Sequence, residues 1–321
     1  MNSFSEEPPR APSFKPKRRR LFSYLAWLIG AGVVAGVIWF VGWGDIRAAF
    51  KHMNPWLFAA MAALDAAAMW LRAVKWRFVL GKNQNAFGLH FLSKLAGNYS
   101  PGRVGELSPL LFKAHRSSRL GAWIVVDRLL EMTVTLAFGA TGFFLLRFSS
   151  ASVIPAVAGA FIVFIILPLA LITRRRWFEG LAAKTSEGSR TRKALDGLAK
   201  LSDEMLRLRA ITPVAGFLTI AAALLELAAY ILLYRSFGAE GVTFAMVAAA
   251  KCAQGVVGAL PFTPGPTGLP HLVAGVFLYE AGGFDSGVLA AALGSREVVV
   301  NLLFCSFLVM TSPGLFRLRK T

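Results

Sequence analysis

Twice in this chain, about half a chain apart, apolar sequence is broken by Pro-Gly-x-x-Gly. The first copy lies in Asn98-Tyr99-Ser100-Pro101-Gly102-Arg103-Val104-Gly105-Glu106, the second in Pro261-Phe262-Thr263-Pro264-Gly265-Pro266-Thr267-Gly268. Proline removes a backbone donor and disrupts a helix interior, and glycine allows backbone that other residues adopt only at a cost. The setting makes these breaks constraining. Of the 321 residues, 56% are hydrophobic and the mean hydropathy is +0.57, the balance of a polytopic membrane protein. Non-helical backbone at membrane depth is tolerated only where protein or a watery cavity satisfies its polar groups. Two such breaks in corresponding halves point to a binding site where the halves meet.

The apolar runs predict an all-α fold of six full spans and two re-entrant helical hairpins, related as inverted repeats. Residues 1–20 read as a disordered basic tail on the cytoplasmic side. The spans are expected at 21–43, 55–71, 120–146, 153–172, 211–234 and 286–310, with the re-entrant hairpins at 87–111 and 244–281. The first membrane half is thus 21–172 and the second 211–312, joined by a charged amphipathic segment over 173–210 that lies at the interface. A second basic tail covers 313–321. The run 21–43 is too long for a signal-peptide core and is expected to stay uncleaved.

Charge supports this topology. Of the 35 Lys and Arg residues, 28 fall on one side if the N-terminus is cytoplasmic and only Arg47, Lys51, Arg147 and Arg235 on the other. That bias follows the positive-inside rule and places both termini in the cytoplasm. The net charge of +18 then reflects contact with an anionic inner leaflet rather than nucleic acid. Two cysteines, Cys252 and Cys305, and four scattered histidines fit neither a disulfide framework nor a metal set, and no cofactor is expected.

Charges at membrane depth cost about 2.5–3.5 kcal/mol each, so each needs a partner or a task. Arg103 and Glu106 lie one turn apart after the first break. They fit either an anion site formed with free backbone donors, for a phosphate or carboxylate, or a structural staple closing the hairpin. Asp127, Arg128 and Glu131 are either interfacial or a polar lining against that hairpin. Arg296 and Glu297, with Asn301 one turn on, face a cavity or form a buried pair. Lys251, with Gln254 beside it, needs a remote acid, with Glu226, Glu280 and Glu297 as candidates. Arg72 reads as an interfacial side chain reaching for the headgroups, Glu226 as a lone intramembrane acid near Tyr230, and His271 as a polar lining residue. Thr263, Pro264, Gly265, Thr267 and Gly268 form either a backbone-lined re-entrant turn or a surface loop.

The run Gly97–Glu106, then Asp127-Arg128, then Pro261-x-Thr263-Pro264-Gly265-x-x-Gly268, resembles the lysylphosphatidylglycerol synthase transmembrane region, or flippase-like domain, family. The resemblance covers about residues 20–315. It implies an integral bacterial inner-membrane protein that moves or handles lipids between leaflets, among them aminoacylated phospholipids, hopanoids and glycolipids. Asn98, Pro101, Gly102, Arg103, Gly105 and Glu106 match the first family motif, with Tyr99 inside it. Arg128 matches the arginine of the following helix, where Glu-Arg is usual and this chain has Asp127-Arg128. Pro264, Gly265 and Gly268 match the second motif. Pro266 and Thr267 replace part of its usual Gly-Gly-x-Gly run, and His271 stands near the place of a glutamate. That departure bears on substrate type more than on fold. The synthase activity in this family belongs to a separate soluble domain, and a stand-alone translocation domain is expected here.

The leading expectation is a translocase for a lipid with an anionic or phosphate-bearing head group. An intramembrane lipid-modifying enzyme is the alternative, although no Gly-x-Ser-x-Gly elbow, His-Asp phosphatase pattern or paired-aspartate metal motif is present. A non-transporting partner of a lipid synthase or glycosyltransferase, docked through 173–210, is another. Oligomerisation is left open.

Overall fold

The structure, a computed structural model, describes residues 39, 42–81, 85–98, 100, 103–111, 117–146, 159–160, 162–166, 169–170, 174–258 and 269–311. Most of the expected first span, both basic tails, most of 153–172, Tyr99, Pro101-Gly102 and the whole second Pro-Gly segment lie outside the described residues.

Regular structure among the described residues is helical throughout. In chain order the α-helices are α1 (Trp43–Lys51), α2 (Pro55–Leu80), α3 (Ala86–Asn98), α4 (Ser118–Leu145), α5 (Arg175–Ala183), α6 (Arg190–Arg207), α7 (Thr212–Ser236), α8 (Phe244–Gly258), α9 (Leu269–Gly282), α10 (Ser286–Arg296) and α11 (Cys305–Thr311). A 3-10 helix, Val104–Leu111, follows α3, and a wider π-helical stretch, Glu297–Phe304, joins α10 to α11. Local chemistry sets the helix starts. Asn54 Oδ1 accepts from the amides of Trp56 and Leu57 at 3.0 and 3.2 Å, and Pro55 opens α2 with its φ already helical. Ser117 caps α4 and Asp285 caps α10. Gly81, at φ 78°, ends α2.

Among the described residues, Pro55–Leu80, Thr212–Ser236 and Ser286–Val309 are long and apolar enough to cross a membrane. The 26 residues of α2 rise about 39 Å, more than a hydrocarbon core requires. This corrects the span expected to stop near 71, because Arg72 and Lys75 lie inside the helix and are buried. They are not interfacial charges. The body buries a set of charges within an apolar core and carries large apolar side chains on its outside. Asp65, Arg72, Lys75, Asp127, Glu226 and Arg296 are buried, while Trp56, Phe144 and Phe217 are 83%, 82% and 70% exposed. Buried charges together with so large an exposed apolar surface are unusual for a soluble protein, and lipid is the solvent that suits this one.

α2 packs along α7, and α8 packs along α4. The second contact uses small residues: a Cβ on Gly139 would fall 2.1 Å from Cys252 Cβ, and one on Gly142 would fall 2.6 Å from Ala245 O. α3 folds back against the 3-10 helix, and α8 against α9, giving two helical hairpins. The segment expected to be weakly amphipathic is a pair of distinct helices, α5 and α6. Arg175 ties them together through Asp203 at 2.7 Å, while pairing with Glu179 on its own helix at 2.6 Å, and α6 lies against α4.

Candidate functional site

The first hairpin presents its charges by closing tightly. Ser93 Oγ donates to the Glu106 carbonyl at 2.7 Å, and Ser100 Oγ accepts from Gly105 N at 2.7 Å. Gly105 passes so close to the opposite limb that a Cβ there would lie 2.1 Å from Ala96 O. Only glycine fits at this close approach. Ser93 and Gly97 thus face the return limb, and Lys94 and Asn98, one position on, face an internal cavity. Arg103 has φ 57°, the one described non-glycine residue with positive φ. Such backbone costs about 1 kcal/mol or more and persists where its surroundings require it.

The cavity has a volume of about 70 Å³, room for several waters. Its wall brings together residues from almost every packed element: Asn98, Arg103, Arg128, Glu131, Lys251, Gln254, His271, Arg296 and Glu297. It also takes Asp65, Arg72, Lys94, Thr135, Glu226 and Tyr230, which the sequence reading had not gathered into one site. His271 Nε2 lies 3.8 Å from Glu297 Oε2. A Cβ on Gly258, the last residue of α8, would sit 3.8 Å from Arg103 Nη2, so the guanidinium of the first break reaches the helix that leads into the second.

Carboxylates and cations alternate along one wall. Asp65 grips Arg296 through Nε at 2.7 Å and Nη2 at 3.0 Å. Arg296 Nη2 also reaches Glu226 at 3.3 Å. Glu226 pairs with Arg72 through a short contact and accepts from Lys251 Nζ at 2.7 Å. Arg72 continues to Glu131 at 3.4 Å, and Glu131 pairs with Arg128 at 2.8 Å. Arg128 holds Glu106 closely, and Glu106 ends the series at Arg103, 3.7 Å away. Tyr230 lies under two of the cations, with Lys251 Nζ 4.5 Å and Arg296 Cζ 4.4 Å from its ring centre.

These contacts revise several readings. Glu226 is not a lone acid but the hub of three cations, and it is the remote partner that Lys251 needs. Asp127 is held away from the main cavity by Lys75 Nζ at 2.5 Å and Trp76 Nε1 at 2.8 Å; with Glu106 it borders a smaller neighbouring cavity. Asp127 and Glu131 therefore divide their work, one bracing α4 against α2 and the other facing the main cavity. Glu106 serves Arg128 more than Arg103. The π-helical stretch begins at Glu297 and includes Asn301. Among the described residues, no group of three His, Cys, Asp or Glu side chains is placed to hold a metal ion. The arrangement suits binding of an anion among fixed charges.

The family described as lysylphosphatidylglycerol synthase TM region has a model that matches residues 27–306. The chain belongs to this family. No curated protein and no solved structure matches it. The matched region takes in both hairpins and every ion pair around the cavity. The family relates the chain to lipid handling in a membrane, and nothing in the match indicates enzymatic activity.

Proposed function

We propose that this chain moves a lipid with an anionic, phosphate-bearing head group between the leaflets of a bacterial inner membrane. The head group lodges in the cavity while the acyl tails stay in the bilayer. The charge of the cavity wall carries the reading. Six cations (Arg72, Lys94, Arg103, Arg128, Lys251, Arg296) line it against four carboxylates (Asp65, Glu131, Glu226, Glu297). Counting Glu106, behind Arg128, still leaves the cations in excess. A positive surplus enclosed in an apolar-coated body complements an anion that must leave the headgroup layer.

In this reading six helices span the bilayer, the hairpins containing α3 and α8–α9 re-enter from opposite faces as inverted repeats, and both termini face the cytoplasm. The sequence has no nucleotide-binding loop, so movement runs on a gradient or on the lipid's own distribution. Vesicles containing the folded chain and a head-group-labelled anionic lipid, probed with a reagent confined to one side, test the proposal. Protein-dependent exchange between leaflets is the expected result, and exchange no faster than in protein-free vesicles overturns it.

A further inference from the structure

The alternating ion pairs neutralise the cavity cations unevenly. Arg296 has Asp65 and Glu226, Arg72 has Glu226 and Glu131, Lys251 has Glu226, and Arg128 has Glu106 and Glu131. Two cations are left over. Arg103 has one carboxylate oxygen at 3.7 Å, and that oxygen already serves Arg128. Lys94 has no carboxylate within 4 Å among the described residues; its main opposite charge, Glu131, acts from farther off and already serves Arg72 and Arg128. Both side chains line the same cavity, and they are near enough for their like charges to interact. Arg103 Nε is buried without a hydrogen-bond partner. The buried amides of Asn98, one turn after Lys94, and Gln254 stand on the same wall.

Resting on the translocation reading, we propose that Lys94 and Arg103 form a two-point grip for the phosphate of the head group, with Asn98 and Gln254 as neutral hydrogen-bonding neighbours. A phosphate ester offers enough acceptor oxygens for a planar guanidinium fork and a separate ammonium at once. An anion between the two cations also offsets their mutual repulsion at membrane depth. The left-handed backbone at Arg103 and its placement by the Ser100–Gly105 bond then serve one purpose, presenting the guanidinium opposite Lys94.

The test is thermal unfolding of the full chain in phosphatidylcholine nanodiscs, followed by tryptophan fluorescence, during titration with inorganic phosphate, dihexanoylphosphatidic acid or dioctanoylglycerol. The expected result is stabilisation by the phosphatidic acid and not by the diacylglycerol, with Lys94→Met and Arg103→Gln each weakening it about tenfold, as for one lost charge-assisted hydrogen bond. Stabilisation by inorganic phosphate alone supports the grip and overturns a lipid as its source. No stabilisation of the wild type, or stabilisation that both variants retain, overturns the grip. Should a variant fail to fold, hydrogen exchange on the wild type decides: ligand-dependent protection must centre on α3 and residues 103–111, and protection confined elsewhere overturns the proposal. Phosphate binding without leaflet exchange overturns translocation and leaves the grip standing. Exchange that Lys94→Met leaves unchanged does the reverse.

Discussion

The two helical hairpins are held in shape by different forces. The α3 hairpin is closed by hydrogen bonds within itself, from Ser93 to the Glu106 carbonyl and from Gly105 to Ser100, and by a glycine against the opposite backbone. The α8–α9 hairpin is seated on α4 by steric fit, Gly139 against Cys252 and Gly142 against Ala245. Directional bonds hold a binding group to a fraction of an ångström, whereas small-residue surfaces let helices approach closely without locking them. The first hairpin therefore suits the gripping of a ligand and the second suits movement.

The largest effect is expected where both hairpins depend on the same charges. Arg296→Ala leaves Asp65 and Glu226 buried with a lost partner, and about 3–5 kcal/mol of stability should go with it, read as a large fall in the unfolding midpoint in detergent. An unchanged midpoint removes the shared network from the account.

Gly105→Ala and Gly139→Ala sharpen the comparison, since each Cβ would fall 2.1 Å from its neighbour. Both should cost about 1–3 kcal/mol. At Gly105 the obstacle is backbone, so no side-chain change should rescue it. At Gly139 it is the Cys252 side chain, so Cys252→Gly should restore most of the midpoint. Rescue at neither site, or at both, breaks the distinction between bonded and seated hairpins.

Arg103→Gly should separate stability from function. Relaxing a left-handed residue should leave the midpoint level or raise it by up to about 1 kcal/mol, while leaflet exchange is lost. The smallest effect belongs to Gly275→Ala on α9, where an added Cβ meets nothing within 4 Å and the shift should stay within about 1 kcal/mol.

The membrane class and helical architecture were legible because a lipid-facing surface demands long apolar runs, and Pro55–Leu80, Thr212–Ser236 and Ser286–Val309 supply them. Helix ends were harder to read. Arg72, Lys75 and Arg77 cluster at the end of an apolar stretch, and one-dimensional sequence cannot tell a cation reaching for headgroups from one paired across a bundle. Arg72 meets Glu226, 154 positions away, and only tertiary packing brings them together. Lys94 leaves a usable signal, a single cation between Leu92 and Leu95 one turn before Asn98, but its charge fits the cytoplasmic side of the topology equally well. Asp127 and Glu131 look equivalent by spacing; Lys75 and Trp76, which draw Asp127 aside, lie on another helix.

The alternating ion pairs also bear on how such a body can change shape. Glu106 touches Arg103 and Arg128, Glu131 touches Arg128 and Arg72, and Glu226 touches Arg72, Lys251 and Arg296. Each of these carboxylates has a second cation at hand when the first withdraws. A helix can therefore shift by passing its partner to a neighbour, as a rope is passed from hand to hand. In the translocation proposed above, such motion can proceed by partner exchange without exposing a bare charge to the bilayer.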